Sequence, residues 1–296
     1  MCLLGTKIKL YRHYLLLALL LIIATKSVKA QLLWEISGKN LTKPSYLFGT
    51  MHVTDERVFN FSTTFMNKFD SSEVIAGELK MSWLGAFKGL PSVFMKKDTT
   101  LGDLLPPEKY KIVHQEIERQ QLGNYVEKMK PIFVSALIEE NKHEKEKKQD
   151  KNEKPALDFY LQKLAKKQNK EIVGLETFEE QISALESIPL KLQAEWLYES
   201  IAHKDSLNPE DTEQMLRLYL AENIDSLYTI TTTSLNDSLI FAQMLTLRNR
   251  RMCARAEKIM EKKSVFIAVG AAHLPGKQGM IDIFRKRGYT VTPVAK

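Results

Sequence analysis

Short apolar runs, rich in β-branched and aromatic residues, alternate along this chain with longer stretches of helical spacing. SYLFGTMH (45–52) leads through a polar segment into STTFMNKF (62–69) and then EVIAGELK (73–80). PALDFYLQKLAKKQNK (155–170) precedes EIVGLET (171–177), and VFIAVGAAH (265–273) precedes GMIDIFRKRG and YTVTPV. Runs of the first kind read as strands and the intervening stretches as amphipathic helices, so the pattern predicts βαβ units. Pro155 stands where a helix start tolerates it, and Gly288 follows RKR as a C-terminal cap should. The middle of the chain reads as helical. LNPEDTEQMLRLYLAEN (207–223) has Asn208 as a cap and Pro209 at the first helical position, and a helix is expected within 101–121 after Pro106-Pro107. LIFAQMLTLRNRRMCARAEKIMEKK (239–263) reads as one long amphipathic helix. The expectation is an α/β fold: a mixed central sheet from two related βαβ units, N-terminal and C-terminal, with a helical insertion between them.

Two stretches fall outside this grammar. Residues 1–30 combine a basic leader (Lys7, Lys9, Arg12), an apolar run from Tyr14 to Ala24 and Val28-Lys29-Ala30, a small-x-small cleavage pattern. This is the layout of a secretory signal peptide cut before Gln31. The run is shorter than the ~20 residues a membrane-spanning helix needs, so contact with a membrane is expected only if the leader is retained. The protein is therefore read as exported, periplasmic or extracellular, with 31–296 as a single α/β domain. Residues 139–154, EENKHEKEKKQDKNEK, have almost no apolar side chain and read as a solvated helix end and flexible loop, with His143 on the surface.

The leader changes the charge argument. The chain carries +7, but residues 31–296 hold 38 Lys and Arg against 36 Asp and Glu, a net +2. No nucleic-acid footprint survives. Cys253 is the one cysteine in 31–296, which excludes an internal disulfide; its place in an amphipathic helix reads as a small core residue.

Candidate chemistry concentrates where apolar strands end. YLFGTMH and VFIAVGAAH both finish in Gly-x-x-His, placing His52 and His273 just beyond a strand. In open α/β sheets ligands sit in the crevice beyond the carboxyl ends of the strands. Glycine there allows a sharp turn or close backbone approach. If the two strands are neighbours, ~4.8 Å apart, the imidazoles converge on one point. Converging imidazoles bind a divalent metal or move protons. Metal binding calls for a further ligand, and Glu78 and Glu176 occupy the equivalent position after EVIAG and EIVGL. Glu176 or the Thr50 hydroxyl could orient a ligand histidine through its other ring nitrogen. His114 and His203 lie in expected helices, away from strand ends. No HExxH helix, GxSxG elbow or P-loop is present, which removes the common zincin, serine-hydrolase and nucleotidase readings.

GTMH, GLET, LRN, VGAAHLPG and GYTVTPV together resemble the TraB/GumN family of the Tiki-like metalloprotease superfamily. The resemblance spans nearly all of 31–296. It implies a fold distantly similar to erythromycin esterases and haem-uptake proteins of the ChaN type, and a divalent-metal site (zinc, manganese or cobalt) built from both Gly-x-x-His histidines and a glutamate. By position these are His52, His273 and Glu78, the last as ligand or as general base. The arginine of the RN pair is Arg248, which would stabilise an oxyanion or clamp a carboxylate; Arg250 and Arg251 are read as exposed charges. Glu78 is followed by Leu79-Lys80, whereas many relatives carry an acid there. The activity implied is metal-dependent hydrolysis of a peptide or protein. A metal-free hydrolase with a histidine base, and a module that sequesters a peptide without cleaving it, stand as alternatives.

Overall fold

The computed structural model describes residues 31–80, 90–147, 154–202, 209–234 and 238–295. The expected leader, residues 148–153 of the charged segment and His203 lie outside the described residues. Six strands form one sheet: β1 (Leu33–Ser37), β2 (Ser45–Thr50), β3 (Val74–Gly77), β4 (Glu171–Gly174), β5 (Val265–Gly270) and β6 (Thr290–Pro293), in the order β4-β3-β5-β2-β1-β6. The pairings β2–β5, β5–β3 and β3–β4 are parallel. β1 runs antiparallel to both β2 and β6, so every strand except β1 points the same way. β2 and β5 are buried almost throughout, as strands flanked by helices must be. β1, formed by LWEIS, is the strand the apolar pattern did not single out.

The helices are α1 (Thr63–Ser71), α2 (Pro107–Arg119), α3 (Pro131–Lys147), α4 (Leu157–Lys167), α5 (Phe178–Glu186), α6 (Leu190–Ala202), α7 (Pro209–Leu220), α8 (Ile224–Ser234), α9 (Leu247–Met260) and α10 (Met280–Lys286). α1 starts where Ser62 accepts a hydrogen bond from Phe65 N at 3.1 Å, satisfying one otherwise unpaired amide. It lays Phe65 and Phe69 on the sheet, where both meet Phe266 of β5 edge-on at 5.3 and 5.2 Å. α5 opens with a capping box between Thr177 and Glu180. The inserted helices have their own apolar core: α6 packs on α2 and α3 through Val113, Ile117, Val134, Ile138, Ala194 and Leu197. No described helix is long and apolar enough to cross a membrane.

The long helix expected over 239–263 is interrupted. A single α-turn at Ser238–Phe241 passes into a π-turn at Ala242–Thr246 before α9 begins. The extra residue in that turn shifts the helical register ahead of Arg248, a device frequent at functional sites. Cys253 is fully buried in α9, and burial pushes its thiol well above the ordinary range.

Candidate functional site

β2, β5 and β3 are adjacent and parallel, so their carboxyl ends form one rim, with Thr50 beside Gly270 and Gly77 beside Ala268. The turns after these strands deliver His52, His273 and Glu78 to one cavity of about 370 Å³, which Thr50 and Arg248 also line. The glycines of the two Gly-x-x-His motifs serve close approach. A Cβ on Gly49 would stand 3.0 Å from Ala271 Cα, in the turn that follows β5. A Cβ on Gly270 would stand 3.3 Å from Oε1 of Glu78. Neither glycine needs a left-handed backbone; each leaves room for what crosses it.

Glu78 is held on both oxygens. Oε1 accepts from Gly270 N at 2.8 Å and Oε2 from Arg248 Nη2 at 2.7 Å. Burial alone would raise its pKa, but the neighbouring charges of His273 and Arg248, with the Gly270 amide, pull it down to about 2. Arg248 is buried, and Nε also donates to Glu176 Oε2 at 2.8 Å and Nη1 to Met244 O at 3.2 Å, in the π-turn. Burial opposes its charge, yet the two carboxylates hold its pKa above the ordinary value. Glu78 and Glu176 share this arginine because β3 and β4 continue pairing past their last residues: Glu176 N donates to Glu78 O at 2.8 Å.

His273 is buried. Asn249 Nδ2 donates to Gln278 O at 2.7 Å, and that carbonyl can only accept. The amide oxygen of Asn249 therefore faces His273 Nδ1 at 2.5 Å, Nδ1 carries the ring proton, and Nε2 presents a lone pair. Nε2 lies 3.5 Å from Glu78 Oε1. Burial pushes the ring down to about 4, against the charge of Glu78 and with help from Arg248. Neither atom of that facing pair can donate to the other, which invites a cation or water between them.

His52 sits differently. Its side chain is 66% exposed, and Nδ1 lies 2.7 Å from Oδ2 of Asp158 on the first turn of α4. The Thr50 hydroxyl donates to Oδ1 of the same carboxylate. The bond to Asp158 outweighs desolvation of the ring and, with the charges of Asp158 and Glu78, pushes His52 up to about 9.

The sequence-derived assignments divide here. Thr50 supports a histidine, through Asp158, which the sequence reading passed over because an acid in a first helical turn has an ordinary explanation in the helix dipole. Asn249, beside Arg248 in LRN, was likewise not assigned. Glu176 does not orient a histidine: its carboxylate is spent on Arg248 and on Arg251 at 3.3 Å. Arg251 is thereby half-buried and paired, not a free surface charge, whereas Arg250 is exposed. Arg248 has most of its donors engaged by protein groups, so it braces Glu78 before it can clamp anything else. His114 lies outside the site and contacts Glu127 at 2.9 Å.

A divalent cation can be tested against these donors. Two ligands ~2.0–2.1 Å from a tetrahedral ion stand roughly 3.4 Å apart, which the separation of His273 Nε2 and Glu78 Oε1 matches. The donor chemistry fits, with His52 on the same cavity wall. The shell is not closed, because among the described residues no three His, Cys, Asp or Glu side chains are clustered to hold a metal.

Comparison with known proteins gives the family. Over 313 residues the chain is 24% identical to metalloprotease TIKI1 of Danio rerio, covering 88% of this chain and 62% of the relative. It is 24% identical to TIKI1 of Homo sapiens, covering 88% and 61%. Metalloprotease TIKI homolog of Nematostella vectensis is 25% identical, covering 84% and 64%. The chain thus spans a little over three-fifths of the length of these relatives. No solved structure matches. The TraB/PrgY/gumN family pattern matches residues 32–293, from the start of β1 to the end of β6, and the chain belongs to that family.

Proposed function

We propose that this protein is an exported, metal-dependent hydrolase acting on a peptide or protein substrate. The observation that carries the reading is the facing pair of His273 Nε2 and Glu78 Oε1, with His52 on the same cavity at the sheet's carboxyl rim. Similarity to proteins named metalloproteases supports it, and the leader-like residues 1–30 support export.

His273, Glu78 and His52 are the residues that would hold the cation. When bound, a divalent ion polarises a carbonyl and brings the pKa of a coordinated water towards ~7. Asn249 keeps the His273 proton on Nδ1, so the lone pair of Nε2 stays directed at Glu78. Arg248 and the Gly270 amide keep Glu78 ionised and fixed in place. With both oxygens already accepting hydrogen bonds, Glu78 is a weak base, which favours the ligand role over the general-base role. Asp158 faces the His52 ring at Nδ1, which leaves Nε2 as the nitrogen that would take a cation in exchange for its proton, the carboxylate–histidine arrangement that orients metal-binding imidazoles. In the metal-free alternative the general base would be His273, whose Nε2 lone pair is already set by Asn249.

The test is turnover of a peptide mixture by the purified protein, before and after chelation, followed by mass spectrometry. New termini are expected with metal, and are lost on chelation and in His273→Ala. Saturable peptide retention with no product, metals supplied, would establish sequestration instead.

A further inference from the structure

Three cavities with overlapping linings lie between the rim of β2 and β5 and the edge strand β4. The first, about 370 Å³, is the one described above; Leu185, Met215, Leu227, Met244 and Leu245 make much of its lining apolar, beside the polar Gln181 and Thr231. The second, about 320 Å³, shares His52, Glu78 and Gln181 with the first. The third, about 900 Å³, shares Phe159 and Gln162 with the second and has Lys80, Lys163, Lys166 and Lys170 in its walls. His52 and Glu78 therefore stand at the junction of the first two cavities, with the apolar chamber on one side and, beyond the second cavity, the basic one.

The basic chamber has charge to spare. Its acid, Glu171, is paired with Lys263 at 2.6 Å. Lys170 donates to the carbonyls of Asp70 and Ser72. Lys163 and Lys166, exposed one turn apart on α4, have no carboxylate partner among the described residues. The apolar chamber contains two methionines, whose flexible, polarisable side chains adapt to differently shaped apolar groups.

We infer that the groove takes an extended peptide with a bulky apolar side chain in the first chamber and, on the other side of the His52–Glu78 junction, acidic residues against Lys163 and Lys166. This deepens the peptide-hydrolase reading and rests on it. Apolar burial supplies most of the affinity, and the lysines supply orientation and a salt-dependent preference. Several apolar residues should serve alike, because leucine and adaptable methionine side chains make up much of that lining.

The inference is tested by fluorescence anisotropy with dye-labelled synthetic octapeptides bound to the whole protein. The panel has leucine or asparagine at the centre and a Glu-Glu or Lys-Lys pair near one end, in both chain directions. The leucine/glutamate peptide is expected to bind roughly tenfold or more tighter than the asparagine/glutamate peptide. It should bind about two- to fivefold tighter than the leucine/lysine peptide, a gap that closes at high salt. Lys163→Glu with Lys166→Glu, a surface change far from the core, should reverse the charge preference and restore binding of the lysine peptide. Met215→Gln should shrink the leucine advantage. A charge preference unmoved by the double variant, or no discrimination between leucine and asparagine, overturns the inference. Because binding is read without turnover, the two readings fail separately. Preferential binding without product supports the groove assignment and counts against hydrolysis; indiscriminate cleavage does the opposite.

Discussion

His273, at the end of β5, is buried and held neutral at pH 7, whereas His52, at the end of the neighbouring β2, is two-thirds exposed and held protonated. Both stand three residues after a glycine that closes a buried strand, so the difference comes from the sheet. β5 is flanked on both sides by parallel strands, and α8 packs against the turn that follows it. β2 has β5 on one side and, on the other, the antiparallel β1, whose amino end lies at that rim, so that among the described residues β1 sends no turn upward beside His52. A single reversed strand leaves one imidazole open and its partner enclosed. In the proposed function this divides labour: the enclosed end is preassembled around Glu78, and the open end is where a substrate and a cation can enter.

The comparison can be broken at the enclosed end first. Arg248→Met should leave the carboxylates of Glu78 and Glu176 buried without their shared cation, at a loss of about 3–5 kcal/mol in denaturant unfolding. A loss near zero would mean that the two acids are not ionised there. Asn249→Leu removes the acceptor of the His273 N–H and should cost about 1–3 kcal/mol. In the same variant, ring-nitrogen NMR should show the Nδ1-protonated tautomer losing its dominance. An unchanged tautomer would contradict the network drawn above.

Behind the enclosed end, Glu180 ties α5 to α9 through Arg255 at 2.6 Å. That bond to Arg255, stronger than the opposing desolvation, pulls its pKa down to about 2. A carboxylate whose folded pKa is depressed adds stability above its unfolded pKa of about 4.5, and that stability is lost as pH falls towards 2. Glu180→Gln should therefore cost about 1 kcal/mol at pH 7 and nearly nothing near pH 2, since the pair is partly solvent-screened. Equal losses at both pH values would rule out this ion pair as the cause. The smallest stability effect belongs to the open end. Asp158→Asn should change stability by under about 1 kcal/mol while returning the His52 pKa from about 9 towards 6.5 in an NMR titration. A His52 pKa that stays near 9 would show that Asp158 is not what raises it.

The rim was legible because strand ends carry local signals: an apolar run, a glycine, then a histidine or glutamate. His52, His273 and Glu78 could be named from such runs alone, and their adjacency followed from parallel strands. What supports them could not be named that way. Asp158 lies 106 positions from His52 in the chain and reads as an ordinary acid at a helix start. Glu176 carries the same local signal as Glu78, yet β4 is the edge strand, one place further from the histidines, so its carboxylate meets the arginines of α9 and not an imidazole. The π-turn was invisible because its residues suit an α-helix equally well, and it is the backbone N–H of Leu247, donating to Ala242 O five residues back, that reveals the altered register.

In the proposed function both Gly-x-x-His ends serve a single cation. Elemental analysis of protein prepared without a histidine tag addresses it most directly. About one equivalent of a divalent transition metal is expected in the wild type, with His52→Ala and His273→Ala each losing it while remaining folded. Wild-type protein that takes up no metal when zinc, manganese and cobalt are supplied, or metal retained in full by both variants, would contradict the claim.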